Sequence, residues 1–125
     1  LVRSPNPVRA KEIAEQVRVA IELHTFTLGN GKSARLTCSI GFAFYPFSPQ
    51  KPGKMDWHQV MMVSDRALYL AKRNGYNAWA GIICGDCPLS DTFIERLKTS
   101  PTKLQAEGAF ELLTSIPKDR KLKWN

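Results

Sequence analysis

Ser64-Asp65-Arg66-Ala67-Leu68-Tyr69-Leu70-Ala71-Lys72-Arg73-Asn74-Gly75-Tyr76-Asn77 is the run on which the reading of this chain turns. It forms the second half of a helix that Asp56 can cap and that runs to about Asn74. Trp57, Val60, Met61, Ser64, Ala67, Leu68 and Ala71 recur at three- and four-residue spacing and predict one apolar face. Gly75 stands where a left-handed residue closes a helix. Asp65, Tyr69 and Lys72 fall on neighbouring positions of the helix surface. Lys72 lies in the last turn, and spacing alone leaves two readings open. It is a cation set against the negative end of the helix dipole, or an ammonium reaching past the helix end to a phosphate.

Upstream, Asn6 and Pro7 predict the start of another helix, from Val8 to about His24, with Ile13, Val17 and Ile21 on one stripe. Thr25–Leu28, the turn Gly29-Asn30-Gly31 and a long strand from Ser33 to Tyr45 read as a hairpin. In that strand Leu36, Cys38, Ile40, Phe42 and Phe44 point one way. Thr37, Ser39, Gly41 and Ala43 point the other, giving a smooth face on which a helix or a ligand can come close. Pro46, Pro49, Pro52 and Gly53 mark a loop. Asn77 to Cys84 reads as a strand. The order helix, hairpin, helix, strand implies an α+β or α/β sandwich with helices lying on a sheet. Further on, Ser90 can cap a short helix holding Phe93, Ile94 and Leu97, and Pro101 breaks it. Ala109–Ile116 fits strand or helix, and Lys118–Lys123 reads as a basic, frayed end.

The chain has 125 residues, enough for one domain or a large piece of one, with 43% hydrophobic and 23% charged residues. It opens on Leu1, which reads as a processed chain or a fragment. The net charge of +7 suits an anionic partner or is simply a basic surface. Three cysteines, without an export signal, point to reduced thiols and a cytoplasmic setting. Cys84-Gly-Asp-Cys87 is a CxxC, but Cys38, His24 and His58 stand at spacings unrelated to a zinc site. Neither histidine has a Ser, Cys or paired-acid partner in sequence, which argues against a hydrolytic triad. The long strand carries no carboxylate, so no catalytic metal site is visible. No aromatics interleave with basic residues on the strands, which makes nucleic acid an unlikely partner.

The run Ser64–Asn77 resembles the closing signature of GGDEF domains, the diguanylate cyclases: Ala-Asp-x-Ala-Leu-Tyr-x-Ala-Lys-x-x-Gly-Arg-Asn. Leu36-Thr37-Cys38-Ser39-Ile40-Gly41-Phe42-Ala43 resembles the family's Thr-x-Ser-x-Gly-x-Ala strand. The helix Ala10–Ile21 resembles the one that follows the family's signature hairpin. These three blocks, in order, cover about residues 8–83. The resemblance implies an α+β fold, part of a palm-like nucleotide-cyclase fold with helices packed across an antiparallel sheet. Residues 1–83 would be the C-terminal portion of the domain, and residues 84–125 an extension of unknown role.

It further implies a bacterial signalling enzyme that condenses two GTP into cyclic di-GMP and pyrophosphate. Each half of a homodimer of GGDEF domains would hold one GTP with Mg²⁺ or Mn²⁺, under an upstream sensor domain. The Gly-Gly-[Asp/Glu]-Glu-Phe hairpin, the metal-binding aspartate strand and the Arg-x-x-Asp inhibitory site have no counterpart here. The resemblance therefore places no catalytic residue and no metal ligand in this chain, which alone should be inactive. Lys72 matches the lysine that contacts the substrate phosphates. The family's phosphate-binding arginine is replaced by Tyr76, which offers one neutral hydrogen bond, and neighbouring Arg73 is a candidate to compensate. Arg18 is a candidate for the inhibitory product site, and Asp65 for stabilising the helix. The alternative is a degenerate, non-catalytic GGDEF module that binds GTP or a protein partner, a reading that Tyr76 favours.

Overall fold

A computed structural model describes residues 6–85 and 89–125. Along the chain run α1 (Pro7–Leu23), β1 (Thr25–Thr27), β2 (Ser33–Arg35), β3 (Ile40–Phe42), α2 (Trp57–Arg73), β4 (Trp79–Cys84), α3 (Phe93–Thr99), α4 (Pro101–Ala106) and β5 (Phe110–Thr114). The fold is α+β with two small sheets. β1 and β2 form an antiparallel ribbon, and the second sheet has the order β3-β4-β5. Among the described residues no helix is long and apolar enough to cross a membrane.

Local chemistry sets the helix starts. Asn6 Oδ1 accepts from the N–H of Val8 at 3.1 Å and of Arg9 at 3.3 Å, with Pro7 in the first position of α1. Asp56 and Gln59 close a reciprocal capping box on α2, with bonds of 2.8 and 2.9 Å.

The single strand expected over Ser33–Tyr45 is two strands in two sheets. β2 stays with the hairpin, where Arg35 pairs with Thr25. The ladder ends there because the chain before Thr25 is already helix, so Leu36 and its successors have no strand opposite them. β3 then joins the other sheet, with Ile40 opposite Trp79. That pairing is parallel, while β4 and β5 are antiparallel, so the sheet is mixed and not antiparallel as expected. The cause is the connection: α2 carries the chain across the sheet from β3 to β4, and such a crossover returns the strand in the same direction.

The smooth face of β3 receives a helix. A Cβ on Gly41 would lie 2.5 Å from the carbonyl oxygen of Ser64 in α2, so only glycine permits this approach. On the other face the Phe42 ring lies over Gly81 and packs 6.2 Å from the Trp79 ring.

The apolar face expected for α2 is only part of what it buries. Trp57 and Met61 are 54% and 43% exposed, while Val63 and Leu70, off that stripe, are fully buried. α2 is covered on two sides, by the sheet and by α3 with the C-terminal segment, and a one-stripe pattern reports only one of them. Residues 89–125 place Leu97, Leu104, Phe110 and Trp124 in the same core as α2. Within Ala109–Ile116 the chain forms a strand, β5, over Phe110–Thr114. Pro101 opens α4 besides ending α3. Thr92, not Ser90, is the N-cap of α3, and Ser90 Oγ accepts from the Thr92 N–H at 3.2 Å. The expected frayed end is instead a strap laid along α2, with Trp124 only 6% exposed and edge-on to Phe110 at 5.9 Å. Cys38 and Cys84 are free thiols, and Cys87 of the CxxC lies outside the described residues.

Candidate functional site

The C-terminal end of α2 gathers the residues singled out above. The helix closes on a three-residue left-handed turn: Gly75, Tyr76 and Asn77 have φ of 109°, 59° and 44°. The Tyr76 N–H bonds back to the Ala71 carbonyl at 3.2 Å, as in a Schellman closure. Glycine takes such a conformation freely and asparagine readily, but tyrosine takes it at a cost of about 1–2 kcal/mol. Tyr76 is 63% exposed, so the turn is not held by burial of that ring.

Two sets of hydrogen bonds hold it instead. On one side Asn74, buried, is a four-way junction. Its Nδ2 donates to the carbonyls of Leu70 (2.8 Å) and Lys123 (2.9 Å), and its Oδ1 accepts from the Lys123 N–H (2.9 Å). Its own carbonyl accepts from Arg120 Nη1 at 3.0 Å. On the other side Asn77 Nδ2 donates to Glu22 at 2.7 Å, and its Oδ1 accepts from Arg18 at 2.9 Å.

Lys72 is exposed, and among the described residues it has no hydrogen bond, ion pair or ring contact. Arg73, the candidate to compensate for position 76, donates through Nη2 to the Asn125 carbonyl at 2.7 Å. Arg18 lies across α1. It grips Glu15 with Nε (3.0 Å) and Nη2 (2.6 Å), and its Nη1 reaches both Glu22 (2.7 Å) and Asn77. Its three guanidinium nitrogens are therefore already engaged. The Arg18 bonds, with help from the Trp79 indole N–H at 2.7 Å, hold the Glu15 carboxyl below its ordinary range. The Asn77 amide, then Arg18, lowers Glu22. The same contacts raise Arg18, which burial alone would lower. The structure thus brings Lys72, Arg73 and Tyr76 to one helix end and sets Arg18 in a clamp that fastens α1 to the turn. Asp65 is exposed on α2.

Three participants carried no sequence signal. Asn74 is an unconstrained position between Lys72 and Gly75. Arg120 is 46 residues from its partner. Arg66 reaches the Leu97 carbonyl and Asn125 Oδ1 while lying 5.8 Å from the Trp124 ring centre. Burial pushes the Arg66 guanidinium below its ordinary value.

Among the described residues no three His, Cys, Asp or Glu side chains converge, so these residues do not fit a Mg²⁺ seat. A second feature is an apolar groove of about 780 Å³ lined by Ile13 and Val17 of α1, Ile40, Phe42 and Phe44 along β3, and Met61 of α2. Among the described residues β3 pairs with β4 alone, so its other edge opens into this groove.

No family model matches the chain, and no solved structure matches it significantly. Partial sequence similarity exists to longer proteins. An uncharacterized protein, YhcK, of Bacillus subtilis (strain 168) is 33% identical over 69 residues, 55% of this chain and 18% of that one. Diguanylate cyclase DosC of Escherichia coli (strain K12) is 34% identical over 64 residues, 51% of this chain and 13% of that one. DosC of Shigella sonnei (strain Ss046) matches to the same extent. The chain thus matches less than a fifth of the length of these curated relatives.

Proposed function

We propose that this chain is the C-terminal part of a GGDEF-type domain of a diguanylate cyclase, and that Lys72 grips the outer phosphates of GTP. The observation that carries the reading is the state of Lys72: an ammonium at a helix end, exposed and unpartnered among the described residues, beside a turn held by two hydrogen-bond sets. The similarity to DosC supports the substrate class.

In this reading the metal ions and the groups that activate the attacking 3′-hydroxyl belong to sequence outside this chain. The residues here bind and orient the phosphate tail, and charge neutralisation by an ammonium favours the departing pyrophosphate. A second GGDEF domain supplies the other GTP, cyclic di-GMP is the product, and a sensor domain sets the activity. The apolar groove and the free β3 edge fit the same reading, because a strand paired there would have both faces covered by helices.

The test is a chimera. The homologous stretch of the E. coli cyclase is replaced by residues 8–83 of this chain, and cyclic di-GMP formation is measured. The chimera is expected to make product, and Lys72→Ala to lower kcat/KM by about 10–100-fold, the worth of one charge-assisted hydrogen bond. Unchanged kinetics in Lys72→Ala would remove the phosphate role. The 125-residue chain alone, given GTP and Mg²⁺, is expected to make none.

The alternative, a non-catalytic module that binds GTP, is favoured by Tyr76, which removes the charged donor from the turn. A chimera that binds GTP without turnover, and regains turnover with Tyr76→Arg, would select it.

A further inference from the structure

Arg120 enters the candidate site from a segment outside the resembling blocks. The strap that carries it is anchored at three points: the paired bonds between Asn74 and Lys123, the Arg73 bond to the Asn125 carbonyl, and the burial of Trp124. Just before these anchors, Arg120 Nη1 holds the Asn74 carbonyl and lies 3.4 Å from where a Cβ of Gly75 would stand. The guanidinium is thus fixed at the helix end from which Lys72 projects, two residues earlier. Among the described residues its Nε and Nη2 have no partner.

The surroundings are cationic. Lys72, Arg73 and Lys123 share this end of α2. The charged groups around Arg120 on the strap are Lys118, Asp119 and Lys121, all exposed. A cleft of about 460 Å³ opens beside Arg120, with Lys11 and Lys118 as its other cations and Glu111 as its one acid. At this helix end the Asn74 carbonyl takes one nitrogen of Arg120 and the Asn125 carbonyl one of Arg73, and the remaining donors are open to an anion.

We propose that Arg120 is a second phosphate-binding residue, delivered by the C-terminal strap to stand beside Lys72, and that the ligand group is the diphosphate end of a nucleotide. The inference rests on the Lys72 reading above and adds a residue to it. Tyr76 is uncharged, and among the described residues Arg73 and Arg120 each have one guanidinium nitrogen bonded and two without a partner. Of the two, Arg120 is the one that holds a carbonyl of the turn itself and lines the cleft beside it. A planar fork with two open nitrogens suits a phosphate pair.

The experiment is calorimetric titration of the full 125-residue chain with inorganic pyrophosphate at low salt, for the unaltered chain, Lys72→Ala, Arg120→Gln and Arg120→Gln/Tyr76→Arg. Gln removes the charge and the fork, and its shorter amide does not reach the Asn74 carbonyl as Nη1 does, so the melt of this variant and the Arg120→Lys comparison separate a structural role from a ligand role. The expected result is a loss of about tenfold or more in both Lys72→Ala and Arg120→Gln. Recovery is expected in the double variant, and Lys32→Ala in the distant hairpin should bind as the unaltered chain does. Loss in Lys72→Ala with none in Arg120→Gln overturns this inference and leaves the Lys72 reading standing. Equal binding in every variant, or none by the unaltered chain, overturns both. Thermal melts of each variant identify any loss that comes from unfolding, and Arg120→Lys then supplies a second test. It keeps the charge but not the fork, and binding stronger than in Arg120→Gln is expected.

Discussion

α1 and α2 are both 17 residues long and both capped by an asparagine or aspartate, yet they are held in different ways. α2 is packed on two sides and buries Val60, Val63, Ala67, Leu70 and Ala71. α1 buries Ala14 alone, and its apolar stripe, with Val17 43% exposed, looks into an open groove. What fastens α1 is mainly polar: Arg18, Glu15 and Glu22 bonded to Asn77 and the Trp79 indole. A dry core holds one helix with little direct dependence on pH, whereas a clamp of carboxylates and a guanidinium can be loosened by acid or salt. The turn Gly75–Asn77 lies where the two systems meet.

The largest expected effect breaks the packed side. Leu70→Ala, at a site with no exposure, should cost about 3–5 kcal/mol in urea unfolding, and Trp124→Ala about 3 kcal/mol because it also frees the strap. If Trp124→Ala costs under about 1 kcal/mol, the strap is not part of the core.

Next comes the clamp. Asn77→Ala removes both bonds to α1 and should cost about 1–2 kcal/mol. The cost should appear as faster amide exchange in α1 and not in α2. Equal acceleration in both helices would contradict the division drawn here.

The clamp also predicts a pH dependence. Glu15 and Glu22 are lowered in the folded state, so their contribution is fully present above the ordinary carboxylate value of 4.5. It is lost as pH falls through their depressed values. Below about pH 4.5, α1 amides should exchange faster relative to those of α2, and Glu15→Gln should flatten that trend. The smallest effect is expected in the groove. Val17→Ala should change stability by less than about 1 kcal/mol, since that side chain is already half in water.

The same division explains what could be read from the sequence. Helix ends are written locally: Asn6 before Pro7, Asp56 three residues before Gln59, and Gly75 after Asn74 each act within a few residues, so their signals survive in one dimension. The glycine face of β3 was legible too, because Gly41 must lie against something close. Strand partners were not. Nothing in Leu36–Ser39 tells that Thr25 is the last residue available opposite them. The strap was hidden for the same reason: Trp124 meets Phe110 and Arg66 only through the fold, and a run of Lys118–Lys123 looks solvated until Asn74 is seen beneath it. Of the candidate site, Lys72 and the turn were readable, Arg120 and Asn74 were not, and Arg18 was readable as a charge but not as a member of a clamp.

The most direct test of the central claim is an NMR titration of the isotopically labelled chain with GTP, following the backbone amides and the arginine side chains. Shifts are expected to concentrate at Lys72–Asn77 and at Arg120 and to be largely abolished by Lys72→Ala. Shifts confined to the groove between α1 and β3, or an unchanged response in Lys72→Ala, would contradict that claim.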